Sequence, residues 1–202
     1  MRRAIPLIPY FAVGLALYGY HSAWAALGLY HAGMLAAILA LWNRKPAERK
    51  VNARLLWLPL AACVFSLGGV AMYFLWPCMS HNGSTIANRL ADFGVSRHTW
   101  PYLAVYFSVV NSTIEEFFWR GCLMSVTLKP VGNDLLFGGY HSLVLLAFAS
   151  PIWAVPVFCA CAFAGWLWRM LRIATGGLLF PIITHVIADV SIVIAVHLRA
   201  FT

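Results

Sequence analysis

Acidic side chains are scarce in this sequence, and charge of either sign is rare. Six of the 202 residues are Asp or Glu, 10% are charged and 62% are hydrophobic. A water-soluble domain carries about a quarter charged residues. A surface this poor in charge would aggregate in water, so the composition excludes a soluble domain and favours a protein embedded in lipid.

Several familiar motifs are also missing. No C-x-x-C pair occurs among the five cysteines, so no disulfide framework is expected. No nucleic-acid-binding motif accompanies the net charge of +8, and we expect no nucleic-acid partner. The cysteines, four of which fall within apolar runs, are Cys63, Cys78, Cys122, Cys159 and Cys161.

Apolar runs dominate the chain instead. They predict an all-α bundle of about seven transmembrane helices, within a range of six to eight, since one crossing takes about 20 residues. No repeat or linker divides the chain, so we expect one integral membrane domain over 1–202, with N-terminal helices over 1–98 and a core over 99–198. The predicted helices cover 5–20, 23–42, 55–76, 99–127, 134–149, 152–172 and 177–198.

Three segments are less regular. Residues 84–94 have mixed polarity, which fits either a short helix at the membrane interface or a soluble loop. The predicted helix 134–149 is short for a full crossing, so we expect it to tilt or to break near Gly138. Arg2, Arg3 and the following apolar stretch resemble a secretory signal peptide, but a second apolar span follows at once and favours an uncleaved first helix.

The cations predict the orientation of the bundle. With the N-terminus in the cytoplasm, ten Lys and Arg face the cytoplasm and three, Arg89, Arg97 and Arg199, face the opposite side. The compact size and the absence of an organelle-targeting feature favour a bacterial or archaeal plasma membrane. The ten cytoplasmic cations are Arg2, Arg3, Arg44, Lys45, Arg49, Lys50, Arg54, Lys129, Arg169 and Arg172.

Half of the acids lie inside predicted membrane helices, where charge is unfavourable. An ionisable group at the centre of a bilayer costs about 2.5–3.5 kcal/mol on insertion scales. Such groups face a protein interior or a wet cavity, so they predict a functional site. The intramembrane polar set consists of Glu115, Glu116, Arg120, His141, His185 and Asp189.

Helical spacing predicts which of these side chains meet. Glu116 and Arg120 are four residues apart and can form an ion pair. Glu115 is rotated by about 100° from Glu116, which leaves it freer to face the histidines. His185 and Asp189 are also four apart, so we expect the Asp189 carboxylate to accept the imidazole proton and to fix the tautomer.

The depths of the titratable groups also agree. At 1.5 Å per residue, Glu115, His141 and His185 lie about 10–18 Å from the cytoplasmic end, in the same half of the membrane. A glutamate shielded from bulk water suits a general base, which can activate a water held between itself and His141. A second histidine can stabilise the oxyanion on the attacked carbonyl, so the set predicts hydrolysis.

Three short motifs carry a resemblance to a known family. Residues 115–120 read E-E-x-x-x-R, residues 137–141 read F-x-x-x-H, and residues 185–189 read H-x-x-x-D. In this order, on successive helices over about 99–198, they resemble the CAAX protease and bacteriocin-processing family. Eukaryotic members of that family include the Ras-converting prenyl endopeptidase.

The resemblance implies a glutamate-dependent intramembrane endopeptidase that needs no cofactor or metal. The catalytic glutamate of the family falls on Glu115, and His141 would help to activate the water. His185 and the residue four positions later would form the oxyanion site, where the family usually has asparagine and this sequence has Asp189. A carboxylate cannot donate to an oxyanion, so Asp189 is expected to be protonated or to orient His185. The expected substrate is a lipidated, membrane-anchored or hydrophobic-tailed peptide or protein, with membrane lipid as the other partner.

Alternative interpretations stay open. Two histidines and a glutamate are also a plausible zinc ligand set, although no H-E-x-x-H occurs. A structural polar cluster in a non-enzymatic membrane partner or immunity protein, or a proton relay in a transporter, is a further alternative. Histidines near helix ends, such as His31, are expected to bond between helices. The aromatic residues, including Trp166 and Trp168, are expected to face lipid or the membrane interface.

Overall fold

The computed structural model of the protein describes residues 2–41, 57–80 and 83–202, and all regular elements within these ranges are helical. The all-α prediction is therefore confirmed for this part of the chain. The predicted basic loop from Arg44 to Arg54 lies outside the described residues. The helices are α1 over 2–19, α2 Ala23–Leu41, α3 Trp57–Met79, α4 Ile86–Asp92, α5 over 100–122, α6 Gly132–Leu146, α7 Ala154–Thr175 and α8 Leu179–Ala200.

Two of these helices change their winding along their length. Helix α1 begins as the 3₁₀ turn Arg2–Leu7, continues as the α-helix Ile8–Val13 and ends in the π-helical stretch Gly14–Gly19. Helix α5 is α-helical over Trp100–Val105 and Ser112–Glu115, and each of these parts is followed by a π-helical part, Tyr106–Asn111 and Glu116–Cys122. A short 3₁₀ turn, Pro151–Trp153, leads into α7.

Within the described ranges, four helical segments are long and apolar enough to cross a membrane: Ala23–Leu41, Leu60–Met79, Pro151–Thr175 and Leu179–Ala200. These spans make the chain an integral membrane protein. Helix α1 is shorter, α6 has 15 residues, and α5 carries charged residues and changes its winding. Four candidate spans are thus established, and the expected count of seven stays a prediction.

Hydrogen bonds near the ends of the helices show that the helices alternate in direction. At one end of the bundle, the Ala23 amide donates to the Phe93 carbonyl over 3.0 Å, and the Ser150 amide donates to the Met79 carbonyl over 2.8 Å. At the other end, the α7 side chain of Arg169 donates to carbonyls of the α5–α6 loop, including that of Lys129 over 2.7 Å. This alternation brings the polar residues of α5, α6 and α8 to one level.

Three boundary expectations need correction or refinement. Helix α5 ends at Cys122 rather than at 127, and Arg169 binds carbonyls of the loop that follows. Helix α6 is continuous through Gly138 and does not break there. Within 84–94, α4 is a helix whose Ile86 and Leu90 side chains are buried in a protein core rather than exposed to the membrane interface or to solvent.

Small residues allow two helix pairs to approach closely. A Cβ atom at Gly138 of α6 would lie 2.6 Å from the Phe158 carbonyl oxygen and 2.8 Å from the Ala162 Cβ, both on α7. A Cβ atom at Gly69 of α3 would overlap the backbone of Ser191 on α8. Membrane helices pack through such small-residue contacts, because lipid gives helices no hydrophobic reason to associate.

Replacing Gly138 with alanine should therefore destabilise the protein by about 1–3 kcal/mol, the usual cost of overpacking. Thermal unfolding in detergent, followed by circular dichroism, measures the effect. Gly28→Ala on α2 is the matched control, because a Cβ atom there has no neighbour within 4 Å. The control should keep or raise the melting temperature, and equal changes in the two variants would contradict this account of α6–α7 packing.

Candidate active site

Both glutamates of α5 are buried, although they are consecutive. Glu115 is 2% exposed and closes a single α-helical turn, and Glu116 is 0% exposed and opens a π-helical stretch. Wider π turns inside helices occur frequently at functional sites. Here the two carboxylates point at different partners in the bundle interior.

The carboxylate of Glu116 is held by two nitrogen donors. Arg120 Nη1 donates to Glu116 Oε1 over 2.9 Å, which confirms the predicted i, i+4 ion pair. His185 Nδ1 lies 2.8 Å from the same oxygen and donates to it when Glu116 is ionised. Neither Arg120 nor His185 is more than 2% exposed. Glu116 is therefore a structural anion that ties α8 to α5.

Arg120 also connects α5 to helices α6 and α7. Its Nη2 donates to the Gly165 carbonyl of α7 over 3.1 Å. Its guanidinium carbon lies 4.3 Å from the ring centroid of Phe137, the first residue of the F-x-x-x-H motif. The cation is thus neutralised by one acid and packed against one aromatic face, as a buried charge requires.

Glu115 has different surroundings. The Tyr30 hydroxyl of α2 donates to its Oε1 over 2.5 Å. Its Oε2 accepts no hydrogen bond within the described part of the chain and lies 3.8 Å from His185 Nε2. One carboxylate oxygen is therefore anchored, and the other faces an imidazole nitrogen at a distance that one shared hydrogen-bonding partner can bridge.

His141 has a fixed tautomer. Its Nδ1 lies 2.8 Å from the Phe137 carbonyl oxygen, one turn earlier on α6. A carbonyl only accepts, so Nδ1 carries the proton and donates it. Its Nε2 lies 3.2 Å from the Tyr140 hydroxyl, which is 3.1 Å from the Tyr30 hydroxyl beside Glu115.

Asp189 is not the partner that fixes the His185 ring, contrary to expectation. The Asp189 carboxylate approaches His185 Nε2 only to 3.8 Å, whereas Glu116 is at hydrogen-bonding distance from Nδ1. Asp189 instead accepts from the Ser112 hydroxyl over 2.7 Å and from the Asn111 amide over 3.4 Å. Both donors lie on α5, which draws Asp189 toward that helix.

The expectation for Trp168 was wrong, and the expectation for His31 is confirmed. Trp168 does not face lipid: it is 4% exposed, and its ring stacks on His185 with centroids 4.0 Å apart. Its indole nitrogen donates to Thr184 over 3.1 Å, so the tryptophan forms a wall of the site. His31 does bond between helices, with its ring nitrogens 3.0 Å from the Tyr106 hydroxyl and 3.1 Å from Asn111 Oδ1.

Sequence reasoning missed the polar residues that bring α2 and the first half of α5 into this cluster. The signals were present but weak. Asn111 and Ser112 precede the two glutamates by four residues each, and therefore lie on the same faces of α5. Tyr30 is a polar residue inside an apolar span, where hydroxyl groups seek partners on other helices.

The six predicted site residues are all buried or half-buried and belong to one connected polar cluster. Within the described part of the chain, no three His, Cys, Asp or Glu side chains are grouped so as to hold a metal ion. Among the described residues, the cluster provides two buried carboxylate oxygens without a donor, Glu115 Oε2 and Glu116 Oε2, of which Glu115 Oε2 faces His185 Nε2. It also provides two imidazoles with defined Nδ1 contacts and an arginine that compensates the carboxylate of Glu116.

Residues 97–191 match the family model described as Type II CAAX prenyl endopeptidase Rce1-like. The matched range is just under half of the chain and contains all six predicted site residues. No curated protein and no solved structure matches the chain. The match and the three motifs agree on the same helices. Residues 97–191 are therefore similar to the Rce1-like family of type II CAAX prenyl endopeptidases.

Proposed function

We propose that this protein is an intramembrane endopeptidase in which Glu115 activates the hydrolytic water. The observation that carries the proposal is the second carboxylate oxygen of Glu115, which is buried, has no donor in the described residues and faces His185 Nε2 at 3.8 Å. Similarity to the family supplies the reaction class, which is peptide-bond hydrolysis. A carboxylate in this environment is suited to accept a proton from a bound water.

The proposed step is balanced within the site. Glu115 takes one proton from the water as the water oxygen bonds to the peptide carbonyl carbon, and the carbonyl oxygen becomes an oxyanion. When the carbon–nitrogen bond breaks, Glu115 returns the proton to the leaving nitrogen. His185 lies within reach to donate to the oxyanion from Nε2.

Donation from His185 Nε2 requires the imidazolium form, because the Nδ1 proton is already donated to Glu116. Three carboxylates, those of Glu115, Glu116 and Asp189, lie within 3.8 Å of this ring. Together with Arg120, an imidazolium would balance two of these three negative charges. Trp168 covers one ring face and keeps its plane fixed. In this proposal, Asp189 compensates the charge of His185 and does not itself donate to the oxyanion.

The proposed substrate is a lipidated or membrane-anchored peptide, since the site is enclosed by lipid-embedded helices. We further propose a cytoplasmic N-terminus in a prokaryotic plasma membrane. The described cations support this orientation: Arg169 binds the loop that contains Lys129, so these two cations lie at the same end of the bundle. Arg199 instead binds the Tyr73 carbonyl near the end of α3, at the opposite end.

Glu115→Gln should abolish cleavage while the protein stays folded, because the amide keeps the shape of the side chain but is not a base. General-base loss lowers a rate by about 10²–10⁴-fold. Proteomics of peptide termini in cells that carry each variant measures cleavage. Asp92→Asn, an acid-to-amide change at an exposed residue of α4, is the control and should cleave normally. If cells with Glu115→Gln contain the same peptide termini as cells with the wild-type protein, cleavage that depends on Glu115 is excluded and a non-enzymatic partner is favoured.

Arg120→Ala should act on stability first. It leaves Glu116 buried without its cation, and breaking a buried ion pair costs about 3–5 kcal/mol. Thermal unfolding in detergent tests this against Arg199→Ala, whose guanidinium binds one carbonyl at an exposed site. A melting temperature of Arg120→Ala equal to that of Arg199→Ala would show that the pair is not structural.

Chelation separates the proposed mechanism from the zinc alternative. Purified protein should keep full activity after treatment with 1,10-phenanthroline and should contain no stoichiometric zinc by elemental analysis. A glutamate base needs no metal to activate water in this proposal. Activity that disappears with the chelator and returns with added zinc would contradict it.

A further inference from the structure

A chain of hydroxyl groups joins Glu115 to His141, the two residues that the sequence predicts on either side of the water. Tyr30 lies 2.5 Å from Glu115 Oε1, Tyr140 lies 3.1 Å from Tyr30, and His141 Nε2 lies 3.2 Å from Tyr140. All three separations are within hydrogen-bonding range, so the chain from carboxylate to imidazole is continuous.

The chain has a defined proton count. His141 already uses its Nδ1 proton on the Phe137 carbonyl, so a neutral His141 has no proton on Nε2. The route through Tyr30 contains three pairs of hydrogen-bonding atoms, and each pair needs one proton. The two tyrosine hydroxyls supply two of these protons. One further proton is needed to complete all three hydrogen bonds, and it resides on His141 Nε2 at one end or on Glu115 Oε1 at the other.

The two arrangements differ only by the shift of three protons along existing hydrogen bonds. With the extra proton on His141, the imidazolium donates to Tyr140, Tyr140 to Tyr30, and Tyr30 to an ionised Glu115. With the extra proton on Glu115, every donor is reversed and His141 is neutral. The total number of protons is unchanged, so the exchange needs no water from outside.

We propose that Tyr30 and Tyr140 form a proton relay that shares one proton between Glu115 and His141. This inference rests on the proposed function, because Glu115 must release its proton to act as a base and the relay takes up that proton. The tyrosines are positioning residues that act through Glu115 and His141. Tyr30 lies on α2, outside the matched range 97–191.

The relay is shielded from bulk water. Tyr30 and Tyr140 are each 3% exposed. The ring of Trp119 lies parallel to that of Tyr140 with centroids 5.9 Å apart, and Phe137 contacts Tyr140 edge-on at 5.6 Å. Because these aromatic groups enclose the hydroxyls, a proton that leaves Glu115 in this direction has a single continuous path, which ends at His141.

The test compares Tyr140→Phe and Tyr30→Phe with Tyr10→Phe, using the purified full-length protein and a fluorogenic membrane-anchored peptide. Tyr10 is the matched control, because its hydroxyl donates to the Leu136 carbonyl of α6 over 2.8 Å and is not a link in the relay. We expect kcat to fall roughly tenfold or more in both Tyr140→Phe and Tyr30→Phe, because each variant removes one link of the relay, with KM unchanged in both. Tyr10→Phe should behave as the wild type.

A solvent isotope measurement separates a relay from mere support of the fold. In mixtures of H₂O and D₂O, kcat of the wild type should depend on the deuterium fraction along a curve, because several protons move together. In Tyr140→Phe and in Tyr30→Phe the dependence should become linear. A curved dependence retained in both tyrosine variants, or kcat equal to that of Tyr10→Phe, would overturn the relay.

Failure of the relay can be told apart from failure of the proposed function. If the tyrosine variants are fully active while Glu115→Gln is inactive, the relay is wrong and the peptidase stands. If Glu115→Gln cleaves as well as the wild type, the proposed role of Glu115 as the base fails, and the relay fails with it. Each variant is first checked for a wild-type melting temperature. Should Tyr140→Phe unfold, the linear isotope dependence expected for Tyr30→Phe decides the question.

Discussion

The structure depends above all on the neutralisation of Glu116 inside the membrane bundle. One carboxylate oxygen lies against Arg120 at 2.9 Å and against His185 at 2.8 Å, and all three side chains are almost fully buried. Charge in lipid is tolerated only when it is paired and enclosed by protein. This requirement keeps α8 against α5. The bond from Arg120 to the Gly165 carbonyl adds α7 to the same assembly.

Because Glu116 binds the cationic donors, Glu115 is the carboxylate to which we assign the proposed chemistry. Two adjacent carboxylates would repel each other if both faced one cavity without compensation. The winding of α5 changes between them, and each reaches a separate set of partners. Glu115 receives one phenol donor and keeps an oxygen directed toward His185 Nε2. A structural acid and a candidate base thus follow one another in the sequence without sharing a role.

The sequence predicted what lies along single helices better than what lies between them. The Glu116–Arg120 pair follows from helical periodicity, so spacing alone was sufficient. Spacing also placed His185 and Asp189 on one face, but it could not reveal that Glu116 competes more closely for the ring. Trp168 was expected to face lipid or the membrane interface, because tryptophans beside a cation such as Arg169 are typical of the interfacial aromatic belt. Only the packing of α7 against α8 decides that orientation.

Two adjacent residues of α2, Tyr30 and His31, bond to different parts of the polar cluster, so this N-terminal helix is part of the site. Tyr30 donates to Glu115, and His31 contacts Asn111, which in turn donates to Asp189. The two rings are only 5.0 Å apart, so a small rotation of α2 would disturb both connections together. The matched range 97–191 therefore contains the six predicted residues but not Tyr30 and His31, which bond to the cluster from α2. A fragment limited to that range would lack the donor that anchors Glu115 Oε1, and its carboxylate would be free to turn away from His185.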